Sequence, residues 1–201
     1  MRSEKLLTRT GCALLVIDVQ ERLLAKIGGR RRIVANMIRL IDSAKLLGVR
    51  VYAVEQYPRG LGPTVPELAC RLPAPIQKLS FSAGRVRELT DEFASSGVRL
   101  AVLAGIEAHV CVLQTAFDLL ARGLAVFVAA DATGSRKESD WRTAIERMAG
   151  GGITIGSTES FIFEWMETAA IGQFKDISRL VVATDDELLG GVRGVSEGEG
   201  E

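Results

Sequence analysis

Short apolar runs of four to nine residues recur along this chain, most of them followed by a longer stretch with helical spacing. The runs are CALLVID (12–18), VRVYAVE (49–55), PIQKLS (75–80), VRLAVLAGI (98–106), LAVFVAAD (124–131) and ITIG (153–156). They show little polar–apolar alternation, so most predict strands buried on both faces, as in a parallel sheet covered by helices on either side. Helices are expected at 31–48, 85–97, 109–122, 137–150 and 157–168, most closed by a glycine, the last opened by a Ser-x-x-Ser cap. The expected fold is an α/β, three-layer α/β/α sandwich around a doubly wound, mainly parallel six-stranded sheet. Such sheets take their ligands at the carboxyl ends of the strands, where strand order reverses.

Two segments break the rhythm. Residues 56–75 hold all five prolines. They are expected to form neither a helix nor a central strand, and a long ordered loop of this kind is often functional. Residues 185–201 carry six acids, one arginine and many glycines. They are read as a mobile acidic tail behind a single domain of residues 1–184.

Formal net charge is zero, so bulk electrostatics point to neither nucleic acid nor an anionic membrane. The one basic cluster is KIGGRRR (26–32), most simply a solvated helix entrance. No apolar stretch approaches the roughly 20 residues of a membrane span, and CALLVI is too short for a signal peptide. Cysteines 12, 70 and 111 form no C-x-x-C pair. A reducing, cytoplasmic setting is expected.

The only histidine and one cysteine share the segment GIEAHVCVLQTA (105–116). On a helical wheel, Cys111 falls with Gln114, Thr115, Asp118 and Arg122, away from the apolar stripe of Val110, Leu113 and Phe117. Two readings stand. Cysteine is often a small buried hydrophobe. A first-turn cysteine is also a candidate nucleophile, its thiolate favoured by unpaired N–H groups. His109 is two residues away, a step that points side chains apart, so a Cys–His dyad is not expected. Partners must come from other strand ends, where Asp18, Lys78 and Asp131 stand. Each alone is an ordinary strand-end charge. If the first and fourth strands are neighbours at the reversal, Asp18 and Cys111 face each other and Lys78 reaches in.

With these residues in place, ALLVIDVQ (13–20), EQYPRGLGPTVPEL (55–68), IQKLSFSA (76–83), GIEAHVCVLQTAFDLLARG (105–123), VAADATGSR (128–136) and IERMAGGGITIGSTESFIFEWM (145–166) resemble the isochorismatase-like cysteine hydrolases. The likeness runs from about residue 10 to 182 and is strongest to the isochorismatase-domain branch. It implies a catalytic triad of Asp18, Lys78 and Cys111, and an oxyanion hole from the backbone N–H groups of Ala108 and Cys111. It also implies a cis peptide at Glu107–Ala108 and a small amide or related acyl substrate. Gln56, Tyr57, Phe81 and His109 are candidate substrate contacts, although Tyr57 and Phe81 could equally pack the loop or a subunit contact. The histidine pair of the superfamily's metal-binding amidases is missing, so neither a metal nor another cofactor is expected. Isochorismatases proper lack the cysteine, so vinyl-ether cleavage is not expected. The resemblance further implies a homo-oligomer. The alternatives are a catalytically silent scaffold of the same fold and a nuclease, an activity named for some members of this branch, for which the basic cluster at 26–32 is the one candidate surface.

Overall fold

The computed structural model describes residues 2–3 and 5–190. Strands β1 (Cys12–Ile17), β2 (Arg50–Gln56), β3 (Ile76–Lys78), β4 (Leu100–Ile106), β5 (Ala125–Gly134) and β6 (Thr154–Gly156) form one sheet. Its order is β3-β2-β1-β4-β5-β6, and every pairing is parallel. The expected sandwich and all six strands are therefore present. The reversal of strand order falls between β1 and β4, which pair from Cys12–Leu100 to Ile17–Gly105.

Because side chains alternate across a strand, β1 feeds two cores. Leu14 and Val16 join one cluster, and Ala13, Leu15 and Ile17 the other. The helices are α1 (Glu21–Leu24), α2 (Arg30–Leu46), α3 (Pro58–Leu61), α4 (Pro66–Ala69), α5 (Arg87–Ser95), α6 (Leu113–Ala121), α7 (Glu138–Gly150), α8 (Thr158–Met166), α9 (Phe174–Val182) and α10 (Asp185–Leu189). Helices α2, α8 and α9 supply Met37, Ile41, Trp165 and Ile177 to the first cluster. Helices α5, α6 and α7 supply Phe93, Leu119 and Met148 to the second. Helix α8 opens with the expected cap, a reciprocal Ser157–Ser160 box. Its Trp165 is core, fully buried, with Nε1 donating to Cys12 Sγ at 3.4 Å.

Two expectations need correction. The proline-rich segment contains two single-turn helices, α3 and α4, each begun by its own proline. Proline at the first helical position loses an N–H that has no partner there anyway, and its φ suits the turn. The segment expected to be tail begins as helix α10. Thr184 and Glu187 cap it, Arg39 reaches Asp185 at 3.0 Å, and Leu188 enters the first core cluster. The rest of the expected tail lies outside the described residues.

One glycine sets how closely β1 and β4 meet at the reversal. Gly105 has φ +136°, and a Cβ placed there would lie 2.1 Å from the Ile17 carbonyl oxygen. Gly105→Ala combines a disfavoured backbone with a clash that neither strand can relieve. It is expected to destabilise the fold by about 3 kcal/mol or more, read as a lower midpoint in urea unfolding.

Candidate active site

Asp18 is the first residue beyond β1. Its backbone takes φ +55°, a left-handed conformation that Asp tolerates better than most non-glycine residues. Its N–H still donates to Val54 O at 3.1 Å. The corner is held by Gln20, whose Nε2 donates to Gln56 O at 3.0 Å and Gly62 O at 2.7 Å. Gln56 N returns a bond to Gln20 Oε1 at 2.8 Å. The ends of β1 and β2 are thus tied by one fully buried amide.

Lys78 is the last residue of β3, two strands from β1. Parallel neighbours are about 5 Å apart, so its chain must span roughly 10 Å of sheet. It does so across Gln56, its partner in register on β2. Nζ donates to Asp18 Oδ2 at 2.7 Å, Gln56 Oε1 at 2.8 Å, Phe81 O at 3.1 Å and Ser80 O at 3.4 Å. Both charged side chains of this pair are completely buried. Among the described residues, Asp18 Oδ1 has no partner that meets ordinary hydrogen-bond geometry.

Cys111 lies on a π-helical turn, Ala108–Val112, that leads into α6. The helix therefore opens wider than the regular one expected from residue 109. The residue is only 5% exposed, and its thiol lies close enough to Asp18 and Lys78 for both charges to act on it. The wheel sets Cys111 and Thr115 apart from the apolar stripe, but both are buried, and Cys111 belongs to the second core cluster. The covering piece is the segment after β3. Thr115 Oγ1 accepts from Ala83 N at 2.9 Å, Arg85 pairs with Asp118 at 2.9 Å, and Arg122 Nε donates to Gly84 O at 3.0 Å. The same segment carries the carbonyls that hold Lys78.

The electrostatics differ from expectation. A helix start was expected to lower the thiol's pKa. Burial, followed by the nearby Asp18 charge, instead pushes Cys111 up to about 12, with Lys78 opposing the rise. Burial also raises Asp18, against the pull of the Lys78 ammonium. Burial thus favours the neutral thiol at rest and makes the neighbouring Asp18 carboxyl more basic.

The expected cis peptide is displaced by one residue, to Ile106–Glu107. Glu107, not Ala108, is the corner. Its carbonyl accepts from Val110 N and Val112 N, and its buried Oε1 accepts from Arg136 N and Nε at 3.0 and 2.9 Å. His109 turns to β5, where Nδ1 meets Ser135 Oγ at 2.9 Å, and its Nε2 stands 4.0 Å from Asp140. Asp131 is also away from the thiol, accepting from Thr158 N and Oγ1 at 2.7 and 2.9 Å. Tyr57 and Phe81 are half exposed beside Leu79, which is 78% exposed. Gln56, singled out for substrate, spends both ends of its amide on Lys78 and the Leu79 carbonyl. Sequence reasoning missed Gln20, Thr115 and Ser135, polar residues whose partners are remote in the chain. Among the described residues, no three His, Cys, Asp or Glu side chains cluster as a metal site would require. No helix among them is long and apolar enough to cross a membrane.

A family model for the isochorismatase domain matches residues 12–160. Human isochorismatase domain-containing protein 2 is 41% identical over 180 residues, covering 88% of this chain and 87% of that protein. The structure of MAR1 ribonuclease from Caenorhabditis elegans superposes with a TM-score of 0.83 at 36% identity, over 95% of this chain and 98% of that one. The YcaC gene product of Escherichia coli, named as an octameric hydrolase of unknown specificity, gives 0.82 at 22% identity, over 95% and 98%.

These electrostatics predict an unusual response to alkylation. In wild-type protein at pH 7.5, exposed Cys70 should react with iodoacetamide well before Cys111. Asp18→Asn removes the charge that helps raise the thiol, so Cys111 alkylation should speed up. Peptide mass spectrometry over a time course reads both rates.

Proposed function

The chain belongs to the isochorismatase-domain family, and on that premise we propose that it is a cysteine hydrolase acting on a small amide or related acyl substrate. The observation that supports this most is the buried Lys78–Asp18 pair at 2.7 Å, close enough to the Cys111 thiol for both charges to act on its ionisation. As Cys111 sulfur attacks the substrate carbonyl, Asp18 takes the thiol proton. A raised carboxylate pKa suits that task, because proton transfer is easiest when donor and acceptor are better matched. Lys78 holds the net charge of the sulfur and carboxylate as the proton moves.

The backbone N–H groups of Ala108 and Cys111 receive the oxyanion, a contribution worth roughly 3 kcal/mol per donor in other enzymes. Asp18 then passes its proton to the leaving nitrogen, the C–N bond breaks, and a thioester remains on Cys111. Water attacks the thioester, giving one proton to Asp18. The acid leaves as the sulfur is reprotonated. Tyr57, Phe81 and His109 are the candidate walls of the substrate site, while Gln56 acts as a positioning residue for Lys78.

The exposed Tyr57, Leu79 and Phe81 at its mouth suit a contact between copies of the chain, and a homo-oligomer is part of this proposal. So is a cytoplasmic setting, where Cys12, Cys70 and Cys111 remain the free thiols they are here. The burial of Cys111 favours one rival, a silent scaffold of the same fold. The name of the nematode neighbour favours another, a ribonuclease.

A screen of small amides and esters with intact-mass detection separates these readings. The proposal expects an acyl adduct on Cys111, with turnover falling at least about 10³-fold in Cys111→Ala and little restored by Cys111→Ser. Full turnover in Cys111→Ala would refute it. RNA cleavage that survives Cys111→Ala would favour the ribonuclease.

A further inference from the structure

The basic segment KIGGRRR takes no part in the thiol chemistry, yet it borders a cavity. A cleft of about 690 Å³ opens over the carboxyl end of β5, between the start of α2 and α7. Gly28, Gly29, Arg32 and Ile33 line one side, and Ser135 and Trp141 the other. Asp18, Lys78 and Cys111 are not among its lining residues. Its volume lies within the range of small-ligand pockets, roughly 300–1,000 Å³. Ile33 and Trp141 provide apolar wall, and Trp141 is anchored by Nε1 donating to Thr133 Oγ1 at 3.1 Å.

The charges around the cleft are unequal in their commitments. Asp131 accepts from Thr158, Arg136 pairs with Glu107 at 2.9 Å, and Glu138 with Arg142 at 3.0 Å. Arg32 has no hydrogen-bond or ion-pair partner among the described residues. Helix α2 begins at the cleft, its N-cap position held by Gly29 in a left-handed conformation. Lys26 and Arg30 stand exposed nearby and add charge of the same sign.

We propose that this cleft binds a small organic monoanion, a carboxylate on an apolar or aromatic body. Arg32 takes the carboxylate, and Trp141 and Ile33 take the body. The site is distinct from the thiol site but linked to it. Ser135, in the cleft wall, bonds His109 at 2.9 Å, and His109 belongs to the turn that carries Cys111.

Benzoate titration of the full chain, followed by tryptophan fluorescence, tests this. Of the two tryptophans, Trp165 is sealed in the core, so Trp141 is the reporter. The expected result is a saturable change that Trp141→Phe abolishes and Cys111→Ala leaves intact. Affinity should be about tenfold weaker, or more, for neutral benzamide and in Arg32→Gln. No saturable change, equal affinity for benzamide, or unaltered affinity in Arg32→Gln overturns the proposal. So does a response to an RNA oligonucleotide without one to benzoate, which would assign the basic segment to a polyanion. Because Cys111→Ala retains binding on this account, its outcome is separate from that of the hydrolase proposal.

Discussion

The ion pair between Lys78 and Asp18 governs the architecture around it. Either charge alone, fully buried, would carry a desolvation cost of several kcal/mol. Paired at 2.7 Å, with Gln56 and two backbone carbonyls on the ammonium, the lysine has its donors answered. The carboxylate does not: among the described residues, one of its oxygens lacks a partner of normal geometry. That imbalance is what leaves a basic oxygen beside the sulfur.

The pair also requires three strand ends to be brought to one place. Gly105 lets β4 approach β1 closely, which carries the thiol turn toward Asp18. Gln20 fastens β1 to β2, and Gln56 passes Lys78 across β2. The segment after β3 then folds onto α6 through Thr115, Asp118 and Arg122, closing the site from the side. The same contacts that exclude water from the ion pair raise the thiol's pKa. A dry site strengthens every electrostatic interaction inside it, and it also makes a resting thiolate costly. In the mechanism we propose, deprotonation coupled to attack answers both demands, because the negative charge would move between carboxylate and sulfur under one ammonium.

Much of the frame was legible in the chain. The six apolar runs became the six strands, since a run with little polar alternation has few other stable places than a sheet covered on both faces. Five helices appeared where glycine stops and apolar spacing put them, with ends shifted by one to a few residues. Asp18, Lys78 and Cys111 could be gathered as strand-end residues. The misses share a cause. Helices α3 and α4 are single turns, too short to show a period. Strand β5 runs on to Gly134 because a register shift after Leu103 lets Thr133 and Gly134 pair with Gly105 and Ile106. That extension delivers Ser135 to His109, a contact no local pattern announces.

The sequence by itself determined the period of each element, the ends at which reactive side chains would stand, and the family likeness those residues carry. These are local properties, set by side-chain spacing and backbone preference within a few residues. Only the tertiary structure decided that Cys111 would be buried and its thiol neutral at rest. That outcome depends on strands, a turn and a loop from distant parts of the chain closing around one end of a helix. Burial and charge–charge interaction are set by distance in space, and the chain order does not encode that distance directly.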